Sequence, residues 1–85
     1  MIWSLEIASP AARALRDVPR ADAEHINAAF EEMREDPYSG DIQFLKGTNR
    51  TIRRRIGAWR VFFEVHTSRQ LVVILGVVRR SSNTY

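Results

Sequence analysis

Residues 51–65 read Thr51-Ile52-Arg53-Arg54-Arg55-Ile56-Gly57-Ala58-Trp59-Arg60-Val61-Phe62-Phe63-Glu64-Val65. Two strands joined at Gly57-Ala58 account for this pattern, because successive side chains of a strand point to opposite faces. On the first strand Ile52, Arg54 and Ile56 share one face, and Thr51, Arg53 and Arg55 share the other. On the second, Trp59, Val61, Phe63 and Val65 make an apolar face, with Arg60, Phe62 and Glu64 opposite. A two-residue Gly-X link predicts a tight type II′ hairpin. If both apolar faces cover one core, Arg53, Arg55 and Arg60 project together from the other side. Three guanidiniums converging there would make a receptor for phosphates, since each planar fork can grip two phosphate oxygens.

Working outward, residues 41–46 predict a short strand, Asp41-Ile42-Gln43-Phe44-Leu45-Lys46, closed by Gly47-Thr48-Asn49. After the hairpin, Thr67-Ser68-Arg69-Gln70 is a polar turn. Leu71 to Val78 is an unbroken apolar run, which predicts an interior strand covered on both sides. Toward the N-terminus, residues 20–35 place Ala23, Ile26, Phe30 and Met33 on one helical stripe, stopped at Asp36-Pro37. Glu24, Glu31, Glu32 and Glu35 form its outer face, read as solvated. A shorter helix ends near Asp17, with Ser9 as N-cap and Pro10 at the first helical position. Before it, residues 2–8 alternate as a half-buried strand that puts Trp3, Leu5 and Ile7 on one side. Trp3 and Trp59 both belong to apolar faces and are expected in the core.

The expected fold is therefore α+β, in the order β-α-α-β-β-β-β. Two N-terminal helices pack on one face of a small antiparallel sheet and leave a basic surface on the other. At 85 residues the chain is expected to form a single domain, 1–85, with one core of two layers.

Charge sharpens this picture. Residues 1–43 carry four basic side chains against nine acidic ones, a balance of −5. Residues 44–85 carry nine basic side chains against Glu64 alone, a balance of +8. Such segregation points to a polyanionic partner. The alternative is internal pairing of an acidic helix with basic strands. There is no cysteine, which excludes disulfide scaffolds and thiolate zinc sites and suggests a reducing compartment. With no apolar run of membrane-spanning length and no recognisable signal peptide, a cytoplasmic location is expected.

The element order resembles the RelE/ParE superfamily of bacterial type II toxin–antitoxin toxins, and four segments in register carry the likeness. They are Pro37-Tyr38-Ser39-Gly40-Asp41-Ile42, Leu45-Lys46-Gly47, residues 52–61 of the hairpin, and Arg79-Arg80-Ser81-Ser82-Asn83-Thr84-Tyr85. The hairpin looks like the family's Tyr-Arg-Leu-Arg-Val-Gly-Asp-Tyr-Arg-Val strand pair, and the last segment is similar to its Arg-Arg-x-Ser-x-Thr-Tyr ending.

The resemblance implies a toxin held inactive by a cognate, RelB-like antitoxin in a hetero-oligomer. In the RelE branch such a toxin enters the ribosome and cleaves mRNA without metal or cofactor, whereas the ParE branch inhibits DNA gyrase. The RelE-like reading is preferred here, giving a ribosome-dependent mRNA endonuclease with Arg53, Arg60, Arg80 and Tyr85 as catalytic residues. Lys46, Arg50, Arg55 and Arg79 are then expected to bind RNA. A gyrase inhibitor and a nucleic-acid-binding module without catalysis stand as alternatives. Two positions depart from the family: Thr51 stands where some RelE-type toxins have lysine, and Arg54 stands where leucine is usual. Arg54 is expected to snorkel or to pair with a helix carboxylate such as Glu31 or Glu35.

The chemistry can also be argued from the residues. Attack of a ribose 2′-hydroxyl on phosphorus needs charge stabilisation, a base and an acid. Arginines supply the first because they stay charged. Tyr85 is the candidate proton carrier. Glu64 shares the parity of Arg60 and is expected to hold it by an ion pair, with a general-base role as the alternative. His25 and His66 lack spaced partners for a metal and are expected at the surface. Phe62, on the arginine face, is the aromatic to consider for stacking on a base or for contact with a partner.

Overall fold

A computed structural model describes residues 2–47 and 50–80. Its elements are β1 (Ser4–Ile7), α1 (Ser9–Arg16), α2 (Arg20–Glu35), β2 (Asp41–Phe44), β3 (Ile52–Ile56), β4 (Trp59–His66) and β5 (Leu71–Arg79). A single 3-10 turn, Thr67–Arg69, joins β4 to β5. The five strands form one sheet in the order β1-β5-β4-β3-β2.

Alternation decides which side is inside. Trp59, Val61 and Phe63 of β4, Ile52 of β3 and Val72, Ile74 and Val77 of β5 are buried in one cluster. Ala11 of α1, Val18, and Ile26, Phe30 and Met33 of α2 join them from above. Both helices therefore cover the same face of the sheet. The predicted stripe on α2 is found, with Ala29 added to its buried residues.

The hairpin closes as its sequence predicts. Ile56 pairs with Trp59, leaving Gly57-Ala58 as a two-residue loop. Gly57 has φ 58°, while Ala58 is not among the residues with positive φ. Positive φ at the first position alone is the type II′ signature, and glycine adopts it without steric conflict.

Three expectations are corrected. β1 runs parallel to β5, so the sheet is mixed; β2, β3, β4 and β5 pair antiparallel. The helical excursion between β1 and β2 carries the chain across the sheet and frees β1 to line the far edge. β5 is interior in order but only partly covered away from the helices: Val72, Ile74 and Val77 are buried against them, whereas on the rest of the strand Leu71 is buried, Val73 and Leu75 are half-buried and Val78 is exposed. An unbroken apolar run cannot reveal this, because it has no polar residues to mark the outer face. The helix start also shifts: Ala8 is the N-cap of α1, and no side chain caps it. Ala8 donates its N–H to Ile74 O while its carbonyl accepts from Ala12, so the chain passes from the sheet ladder straight into the helix.

Candidate functional site

The face of the sheet turned away from the helices collects the arginines. Register places Arg55 of β3 directly opposite Arg60 of β4, and Arg53 directly opposite Phe62. Arg60 thus has Arg55 as its direct cross-strand neighbour and Arg53 on the diagonal, about 7–8 Å away by sheet geometry. Arg79 is opposite Trp59, and Arg80 continues the ladder with its N–H on Ala58 O at 2.6 Å. Alternation then gives Arg79 to the helix side and Arg80 to the open side, on the other diagonal of Arg60.

The guanidiniums on this face are under-used. Arg53, Arg60 and Arg80 are half-buried. The Nε atoms of all three, like that of Arg54 on the helix side, are buried without a hydrogen-bond partner among the described residues. Arg55 is more exposed and lies 3.8 Å from Asp41, a solvated contact of little energetic weight. What sets Arg53, Arg60 and Arg80 apart from Arg54 is that none of them forms an ion pair with a carboxylate among the described residues, so their charge is left for a group from outside.

Arg54 differs in having a carboxylate partner. It points to the helix side, is 7% exposed, and reaches Glu32 at 2.5 Å and Ser39 Oγ at 3.2 Å. Its partner is Glu32 rather than Glu31 or Glu35. Glu32 lies one helical position from Glu31 but on the side of α2 that overhangs β3, an angle that the acidic run of the sequence does not resolve. Gly40, with φ 80°, makes room for this guanidinium: a Cβ there would come within 2.5 Å of Arg54 Cζ.

A family model describing the ParE toxin of the type II toxin–antitoxin system matches residues 5–84. The chain belongs to that family. The resemblance to the RelE/ParE superfamily is thus borne out. Structural likeness agrees with the fold. The toxin of the archaeal RelE–RelB complex from Pyrococcus horikoshii superposes with TM-score 0.83 at 23% identity, covering 96% of this chain and 99% of that one. The isolated RelE toxin of E. coli gives TM-score 0.81 at 15% identity, over 95% and 87% of the two chains. The YoeB/ParE toxin from Agrobacterium tumefaciens gives TM-score 0.77 at 18% identity over 92% and 99% of the two chains. No curated protein matches the sequence.

Against the residues expected for such a toxin, the fold gathers Arg53, Arg55, Arg60 and Arg80 on one surface. Tyr85 lies outside the described residues. Lys46 and Arg50 are exposed in the loop between β2 and β3, at the end of the sheet away from the hairpin. Arg79 departs from the set, because its guanidinium sits 5.6 Å from the centre of the Trp59 ring on the helix side. Trp59 in turn donates its indole N–H to Asp22 Oδ2 at 2.9 Å.

Glu64 does not pair with Arg60. It contacts His66 Nε2 at 3.2 Å, two residues along the same face of β4, whereas Arg60 lies four residues away, about 13 Å along the strand. His66 is consequently half-buried rather than a free surface residue, while His25 is exposed. The sequence reading missed this pair, although alternation puts Glu64 and His66 on one face two residues apart and could have found it. Among the described residues no three His, Asp or Glu side chains gather as a metal site would require. No described helix is long and apolar enough to cross a membrane.

Proposed function

We propose that this toxin cleaves mRNA on the ribosome, using its open sheet face to hold the scissile phosphate. The observation that carries the reading is the convergence of Arg53, Arg60 and Arg80, whose Nε donors have no partner among the described residues. In the reaction, the 2′-hydroxyl gives its proton to a base and its oxygen bonds to phosphorus. The P–O5′ bond breaks, and the departing 5′-oxygen takes a proton from an acid. Arginines around the phosphorus offset the negative charge that builds up on the non-bridging oxygens. Tyr85 is assigned the proton transfer, and Lys46, Arg50 and Arg55 hold the flanking backbone. A cognate antitoxin, RelB-like by analogy with the complex from Pyrococcus horikoshii, keeps the toxin silent in the cytoplasm by covering this face.

A second reading is favoured by the family model itself, which is named for ParE. There the protein inhibits DNA gyrase and the arginine face is a protein contact. A cell-free translation reaction run beside a gyrase supercoiling assay separates the two. New mRNA 5′ ends that need ribosomes, with supercoiling untouched, support the nuclease. Intact mRNA with blocked supercoiling overturns it.

A further inference from the structure

Phe62 stands at the centre of the arginine face and has no evident structural duty there. Its neighbours on β4, Val61 and Phe63, are fully buried on the helix side, while Phe62 looks outward and is half-buried. Register places it directly across from Arg53 on β3 and from Gly76 on β5. Arg60 and Glu64 lie two positions away along its own strand, on the same face. A solvent-facing strand position ordinarily carries a polar residue, so an aromatic ring among cations is a departure that asks for a cause.

Two features keep this ring available. Gly76 places no side chain beside it; a Cβ there would meet Phe62 Cδ2 at 4.0 Å, so a longer residue would stand against the ring and cover its flank. The register between β4 and β5 also slips between Phe62 and Phe63, leaving Leu75 as an extra residue at that point. Such bulges bend a strand and re-aim the side chain beside them, and they recur next to functional sites.

We infer that Phe62 is a platform on which a nucleobase of single-stranded RNA stacks, while Arg53 and Arg60 hold the phosphates on either side of that nucleotide. This rests on the arginine face being an RNA site. The chemistry fits because every base presents a π-face, so an aromatic ring set in a basic groove binds a strand without needing a particular sequence. The spacing fits as well. Cross-strand and next-but-one positions lie about 5–7 Å from Phe62, which keeps both guanidiniums within reach of a nucleotide resting on the ring. The competing occupant is an apolar side chain of a protein partner.

Fluorescence anisotropy of the full chain tests this, with a short labelled single-stranded RNA and an abasic ribose-phosphate oligomer of equal length as probes. The wild type should bind the base-bearing RNA about tenfold more tightly than the abasic one. Phe62→Leu should lose that preference and bind both as the wild type binds the abasic oligomer, with unchanged salt dependence because the phosphate contacts remain. Phe62→Trp should keep the preference, which separates stacking from any loss of folding in the leucine variant. Equal binding of the two probes by the wild type, unaltered preference in Phe62→Leu, or no RNA binding at all would each overturn the inference. Failure of mRNA cleavage in the translation reaction bears on the proposed function alone, since the anisotropy readout does not require catalysis.

Discussion

Arg55 and Arg60 stand directly opposite each other across the β3–β4 hairpin, both turned to the open face. Like charges at such positions repel by about 0.2–1 kcal/mol, and among the described residues only Arg55 of the two has a carboxylate in ion-pair reach, Asp41 at 3.8 Å. The proposed phosphate site would account for an arrangement that lowers stability in the free protein. Replacing Arg60 with Gln should therefore leave stability unchanged or raise it by up to about 1 kcal/mol. The same change should lower mRNA cleavage by about 10²–10³. Chemical denaturation and a cleavage assay on one preparation check both halves, and a variant that loses stability and activity together contradicts the account.

Arg54 is a structural arginine, and its worth lies in Glu32. Because the Glu32 side chain is 61% exposed, solvent screening keeps the contribution of the pair modest. Glu32→Ala should nonetheless cost about 1–2 kcal/mol, since it strips the nearly buried guanidinium of its carboxylate. In an Arg54→Leu background the same change should cost close to nothing. A double-mutant cycle in urea measures the coupling, and additive losses would show that the two side chains do not depend on each other.

Two glycines with positive φ should respond differently to alanine. At Gly57 nothing lies within 4 Å of the added Cβ, so Gly57→Ala should cost only the left-handed backbone, about 1–2 kcal/mol. At Gly40 the added Cβ would also collide with the Arg54 guanidinium. Gly40→Ala should cost more than Gly57→Ala, and shortening Arg54 to Ala in the same chain should recover part of the difference. Thermal melts of the three variants beside the wild type decide this.

Trp59 ties three parts of the fold together through its hydrogen bond to Asp22 and its contact with Arg79. Trp59→Phe keeps a ring under Arg79 but removes the indole N–H. It should lower stability by about 1 kcal/mol for the hydrogen bond, plus a contribution from the smaller buried ring. Asp22→Ala in the Trp59→Phe chain should add little, which equilibrium unfolding of both variants can verify.

Much of this was legible in the sequence because alternation is a strong signal wherever polar and apolar residues share a strand. It placed Trp59, Val61 and Phe63 inward and Arg53, Arg55 and Arg60 outward, and Gly57-Ala58 fixed the turn between them. Helix α2 was legible for the same reason at period 3.6, from Ile26 through Met33. What failed had no local signal. The apolar run of β5 hides its parity, and the bulge opposite Phe62 shifts it, so Arg79 and Arg80 could not be separated into different faces by reading alone. The parallel partner of β1 depends on how the helices cross the sheet, which no short window encodes. The choice of Glu32 over Glu31 for Arg54 turns on the angle at which α2 lies over β3.

Arg79 and Arg80 are consecutive, equally charged and on opposite faces, so they isolate the claim that position on the open face, and not basic charge as such, drives activity. The decisive measurement is primer extension on mRNA from a cell-free translation reaction, comparing wild type with Arg79→Ala and Arg80→Ala. The account predicts ribosome-dependent cuts that persist within a few-fold in Arg79→Ala and fall by about 10²–10³ in Arg80→Ala. Equal losses in the two variants, or a loss confined to Arg79→Ala, would contradict it.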